Sequence, residues 1–141
     1  MSRTTTKEEN LTTVLITGAS SGIGRVTALR LAKRQYFVIG TGRSNTRLQK
    51  LSRDAEKIGL DIETIQMDLD SIESIDNAFK SSLLTRSRVD VLINNAGFGM
   101  WGPLETLSEE EMQEQFQTNL FGLMALTRLV IPQRESLVMG R

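Results

Sequence analysis

Residues 14–24, Val14-Leu15-Ile16-Thr17-Gly18-Ala19-Ser20-Ser21-Gly22-Ile23-Gly24, form the most chemically directed stretch of the chain. A short apolar run feeds a glycine-rich turn, and the turn opens a helix. Strand, turn and helix in that order present bare backbone N–H groups and a positive helix end to an anion. Gly18 lets the chain leave the strand sharply, Gly22 lets a phosphate approach the backbone, and Gly24 lets helix and strand pack closely. These are the roles glycines play at dinucleotide sites. The spacing is T-G-x-x-x-G-x-G, without the Lys-Ser/Thr pair of a P-loop, which argues against triphosphatase chemistry.

Three further positions close later strands. In a dinucleotide fold, an acidic residue about 20 positions past the glycines meets the ribose 2′-hydroxyl, and an arginine there accommodates a 2′-phosphate. No acidic residue stands between Gly18 and Asp54; Arg43 occupies the place, and Arg47 follows one helical turn later. Arg43 is either a solvated loop cation or a phosphate ligand, and its position after a buried strand favours the second. Asp68 ends the third strand, where it either positions an adenine ring or simply makes a turn. Asn94-Asn95-Ala96-Gly97 ends the fourth strand, beside the first at the topological switch point, with room for a ribose or nicotinamide. An ordinary Asn-Gly turn is the plainer alternative.

Composition narrows the chemistry. The 141 residues suit one domain with a real core. With 17 acidic and 17 basic residues the net charge is zero, so no global field favours nucleic acid. Cysteine and histidine are both absent, which removes thiolate chemistry, the commonest metal ligands and the commonest general base. Proton chemistry is left to carboxylates, lysines and the single tyrosine, and no metal site is expected. No stretch approaches the roughly 18 apolar residues of a membrane span, and the first residues carry no apolar signal region. A soluble cytoplasmic protein is the expectation.

The elements that must hold these residues follow from periodicity. Residues 1–12 read as a disordered lead-in, and residues 13–132 as one domain. After the glycine turn a helix runs to about Arg34. Phe37-Val38-Ile39 is a second strand, ending at Gly40-Thr41-Gly42-Arg43. Ser44 or Asn45 caps a helix over residues 46–58, stopped at Gly59. Ile62–Met67 is the third strand. Ser71 with Ser74 starts a helix to about Thr85, and Val89–Ile93 is the fourth strand. Ser108-Glu109-Glu110-Glu111 is a capping box for a long helix that Pro132 ends. Short apolar strands alternating with helices make an α/β fold with a parallel sheet and right-handed crossovers.

On the long helix, at ~100° per residue, Met112, Phe116, Leu123, Leu126 and Val130 form one apolar stripe with Asn119 near its middle. A buried amide there must find partners or cost roughly 1–3 kcal/mol. The loop from Phe98 through Met100, Trp101 and Leu104 either walls a substrate site or covers the adjacent helix. Phe121 to Ile131 is apolar nearly all round, which points either to self-association or to a face exposed by missing chain.

With these residues in place, the chain resembles the short-chain dehydrogenase/reductase family. The resemblance rests on TGASSGIG at 17–24, Arg43, Asp68-Leu69, NNAG at 94–97 and Asn119, and runs from about residue 12 to about residue 132. The fold it implies is a Rossmann-type doubly wound parallel sheet. The function it implies is NADP(H)-dependent hydride transfer to or from a small-molecule carbonyl or alcohol. It implies cofactor contacts from Gly18, Ser20, Ser21, Gly22, Ile23, Gly24, Arg43, Asp68, Leu69, Asn95, Ala96 and Gly97. It also implies that Asn119 helps organise a proton relay, and that the 108–131 helix pairs with its copy in a homo-oligomer.

The chain departs from that pattern in one respect. The family uses a serine and a Tyr-x-x-x-Lys, whereas the one tyrosine, Tyr36, precedes the second strand and is followed four residues later by Gly40. The strands begin at 14, 37, 62 and 89, and a full dinucleotide fold has about six. The expectation is therefore a sheet truncated after the fourth strand and its helix, with residues 133–141 a cut tail approaching a fifth strand. Two outcomes are open: an oxidoreductase fragment without its acid, or an inactive half-domain that binds nucleotide or dimerises. A methyltransferase on a similar sheet needs an acid at the end of the second strand, and Arg43 counts against it.

Overall fold

A computed structural model describes residues 11–86 and 88–139. Its elements are β1 (Thr13–Ile16), α1 (Gly22–Lys33), β2 (Phe37–Gly42), α2 (Asn45–Glu56), β3 (Glu63–Gln66), α3 (Ile72–Thr85) and β4 (Val91–Ile93). A single 3₁₀ turn (Leu104–Thr106) then leads to α4 (Glu109–Phe116), a π-helical stretch (Gln117–Gly122) and α5 (Leu123–Met139). The four strands are parallel in the order β3-β2-β1-β4. This is the doubly wound α/β sheet expected from the βα rhythm, with the reversal of strand order between β1 and β4.

Alternation along β1 divides the core in two. Leu15 faces one side with Ile39, Met67, Ile75, Phe79, Val89, Leu126 and Val130, beneath α3 and α5. Val14 and Ile16 face the other with Ala28, Val38, Leu51 and Ala55, beneath α1 and α2. Burial on both faces is why β1 reads as a continuous apolar run. Across α1 and α2, Arg25 pairs with Asp54 at 2.9 Å and Lys57 joins at 3.1 Å. The Lys57 ammonium, and then the Arg25 guanidinium, hold the Asp54 carboxyl below its ordinary value.

Serine caps three helices. Ser44 Oγ accepts from Arg47 N–H, Ser71 Oγ from Ser74 N–H, and Ser108 Oγ from Glu111 N–H in a complete capping box. Each position was legible as an N-cap, and each saves a first-turn donor from lying unpaired.

Elsewhere the structure corrects the sequence. Leu11 and Thr12, assigned to a disordered lead-in, are tied to the fold: the Leu11 carbonyl accepts from Arg86, and Thr12 from Phe37 N–H. The rest of that lead-in, residues 1–10, lies outside the described residues. β4 is shorter than expected, because the Asp90 carboxylate takes the Thr13 N–H at 2.8 Å and the Arg88 guanidinium at 2.8 Å. Pro132 does not end the last helix; it sits inside α5, and residues 133–139 are helical rather than the approach to a strand. One missing N–H removes one helical bond, and the remaining turns still close.

The long helix is also not uniform. The π stretch inserts an extra residue, so positions before and after it are out of phase with a fixed 100° step. Leu126 and Val130 are buried, whereas Phe116, placed by that step on the same stripe, is exposed. At the end of the π stretch the helix lies against the β3–α3 loop: a Cβ on Gly122 would come 2.3 Å from the Leu69 carbonyl oxygen.

Candidate functional site

The C-terminal ends of β1, β2 and β4 open into one groove of about 610 Å³. Its floor is the turn from Thr17 to Ile23, one wall is Thr41 to Ser44 with Arg47, and the other is Asn95 to Phe98. Met67, Leu69 and Thr118 close the far side.

Two loops far apart in sequence are joined at the floor. The Thr17 hydroxyl accepts the N–H groups of Asn95 and Ala96, each at 3.0 Å. Asn95 Nδ2 returns bonds to the carbonyls of Thr17 at 3.1 Å and Gly18 at 3.3 Å. The contact is so close that a Cβ on Gly18 would lie 2.9 Å from Ala96 Cα. One on Gly24 would lie 2.3 Å from the Gly18 carbonyl oxygen. Gly18 adopts φ 67°, the left-handed region that a sharp exit from the strand requires.

Gly22 differs from these two. Its φ is 53°, and a Cβ there would meet nothing within 4 Å. Open space lies above it, at the start of α1. Although Ser21 is the N-cap of α1, its hydroxyl makes no capping bond, unlike the three capped helices. Among the described residues, the N–H groups of Gly22, Ile23 and Gly24 have no protein acceptor. The groove therefore presents unpaired donors and a positive helix end.

Arg43 follows directly on β2. Gln66 Nε2 holds its carbonyl at 2.9 Å, while its side chain remains largely exposed on the groove. Among the described residues, Arg43 and Arg47 are the charged side chains lining the groove, with the Asp70 carboxylate beside Arg43 at 3.7 Å. An anion is what such a surface accommodates.

Of the residues singled out in the sequence, Gly18, Ser20, Ser21, Gly22, Ile23, Arg43, Leu69, Asn95, Ala96 and Gly97 line the groove. Gly24 lies behind it as a packing position. Asp68 does not line it: its Oδ1 accepts the N–H of Asp70 at 3.0 Å, closing the turn after β3. Asn119 grips the loop after β4, donating from Nδ2 to the Phe98 carbonyl and accepting the Phe98 N–H at Oδ1. Its neighbour Thr118 is the residue that reaches the groove. Trp101 is 97% exposed, so it does not cover the adjacent helix. Tyr36 lies before β2, at the edge of the sheet opposite the groove.

Sequence reasoning assigned nothing to Thr17, Asp70 or Thr118. Thr17 was within reach, being the first letter of the glycine pattern. Thr118 donates to Asp70, a partner 48 positions away, and no local signal announces that pairing.

A family model described as short chain dehydrogenase matches residues 12–140. The chain is 39% identical over 119 residues to a 3-ketodihydrosphingosine reductase of Bacteroides thetaiotaomicron, covering 84% of this chain and 40% of that protein. It is 42% identical over 124 residues to retinol dehydrogenase 8 of Homo sapiens, covering 85% and 39% respectively. Among solved structures, an actinorhodin polyketide ketoreductase variant with NADPH superposes with a TM-score of 0.86 at 29% identity, over 94% of this chain and 51% of that one. An alcohol dehydrogenase of Thermococcus sibiricus, complexed with 5-hydroxy-NADP, superposes with a TM-score of 0.83 at 33% identity, over 88% and 53%. The chain thus spans about two fifths of the curated relatives it matches and about half of the solved ones.

Proposed function

The chain belongs to the short-chain dehydrogenase family, and from that premise we propose that it is the cofactor-holding part of an NADP(H)-dependent oxidoreductase acting on a small-molecule carbonyl or alcohol. The observation that carries this reading is Arg43, an exposed guanidinium at the end of β2 on the same groove as the unpaired N–H groups of α1. Relatives that share the fold were solved with NADPH and 5-hydroxy-NADP, and the two guanidinium groups lining the groove suit a phosphorylated ribose.

When bound, NADP(H) supplies or accepts the hydride. The protein's own groups have separate tasks. The N–H groups of Gly22, Ile23 and Gly24, with the positive end of α1, would hold the pyrophosphate. Arg43, supported by Arg47 one turn later, would take the 2′-phosphate with its planar donor fork. Thr17 and Asn95 fix the two loops to each other, so the floor cannot open under the ligand. Asn119 performs the same service for the loop that continues from Gly97 to Phe98. A proton donor for the carbonyl is not supplied by Tyr36, which lies on the opposite edge of the sheet. The exposed apolar side chains Phe116, Leu120, Phe121 and Met124 support self-association through this helix.

Amide-resolved NMR of the labelled chain with added NADP⁺ tests the site. The expected outcome is shift changes confined to Ser21–Gly24, Arg43 and Asn95–Gly97. Changes clustered instead on α4, or none at saturating ligand, would remove the proposal.

A further inference from the structure

Asp70 stands beside the guanidinium assigned to the extra phosphate, and no task above uses it. Its Oδ2 lies 3.7 Å from Arg43 Nη1. The Thr118 hydroxyl donates to the carboxylate at Oδ1, and Asp68 Oδ1 holds the Asp70 backbone N–H at 3.0 Å. The loop that carries it is held as well. Gln117 Nε2 donates to the Leu69 carbonyl at 3.5 Å, and Gly122 abuts that same carbonyl.

Arg43 is held less firmly, with a side chain 62% exposed against 28% for Asp70. A separation of 3.7 Å exceeds the about 2.7–2.9 Å of a charge-assisted hydrogen bond, so the guanidinium keeps donors for another anion. An anion arriving at Arg43 then meets a carboxylate that Thr118 holds in place. Resting on the NADP(H) assignment above, we propose that Asp70 is a specificity-setting residue. Its pinned negative charge lowers the preference for a 2′-phosphorylated dinucleotide and lets the unphosphorylated form compete.

Two opposing effects decide the sign. Asp70 orients Arg43, which favours the phosphate; it also repels a dianion and occupies part of the guanidinium, which disfavours it. The long, exposed ion pair makes orientation the weaker effect, while repulsion acts on a doubly charged group at close range. Removal of the carboxylate charge therefore strengthens NADPH binding.

The test is fluorescence titration of NADPH and NADH with wild-type chain, Asp70→Asn and Asp70→Ser. Asparagine retains an acceptor for Thr118, and serine is the second variant should asparagine fail to fold. The expected result is NADPH affinity raised about threefold to tenfold with NADH nearly unchanged. A merely structural Asp70 would change both dinucleotides together, and that outcome, or weaker NADPH binding, overturns the inference alone. Wild-type chain that binds neither dinucleotide overturns the cofactor assignment and the inference with it.

Discussion

Gly22 and Gly24 share a motif and answer to different forces. At Gly24 any side chain would meet the Gly18 carbonyl oxygen at 2.3 Å and Asn95 Nδ2 at 2.4 Å, both part of the stitched floor. At Gly22 there is free space and a left-handed φ. Gly24→Ala should therefore destabilise the fold by about 2–4 kcal/mol through overpacking. Gly22→Val should cost only about 1–3 kcal/mol of backbone strain while abolishing dinucleotide binding, because the new side chain fills the phosphate approach. Urea denaturation and NADPH titration on both variants separate the two; similar stability losses with retained binding at Gly22 would contradict these roles. The spacing of the glycines was legible from the sequence, and so was the close packing at Gly24. What was not legible is the partner of each: Thr17 and Asn95 are joined across 78 positions, and only the folded sheet brings them together.

At the scale of elements, the ends of α1 and α2 repeat one motif with different residues. After α1, Gln35 N–H bonds to Ala32 and Tyr36 N–H to Leu31; after α2, Gly59 N–H bonds to Glu56 and Leu60 N–H to Ala55. Both turns need a left-handed residue, Gln35 at φ 64° and Gly59 at φ 73°. Gly59 meets the need without a Cβ, whereas Gln35 pays a steric cost of about 1 kcal/mol. Gln35→Gly should raise stability by about 0.5–1 kcal/mol in urea unfolding; a loss of stability would show that its side chain has a compensating contact. Gly59 was readable as a stop and Gln35 was not, since glutamine carries no turn signal. The same limit explains the long helix. Its capping box at Ser108 depends on residues three apart and was plain in the sequence, whereas its π stretch and the approach of Gly122 to Leu69 are announced by no local pattern.

For the whole molecule, the order β3-β2-β1-β4 follows from short apolar strands alternating with helices, which is why the architecture was readable without coordinates. The sheet then places the glycine turn, Arg43 and the Asn95 loop at one edge, because parallel strands all end on the same side. Family membership agrees with that arrangement, and the strand that carries the turn is packed on both faces, Leu15 on one and Val14 and Ile16 on the other. Under the proposed function this edge recognises a dinucleotide by its phosphates, with Arg43 taking the one NADP(H) has and NAD(H) lacks. Equilibrium titration of NADPH and NADH against wild-type chain and Arg43→Ala tests it most directly. Arg43→Ala is expected to lose about tenfold or more in NADPH affinity, with NADH little changed. Equal losses for the two dinucleotides, or no loss for NADPH, would contradict it.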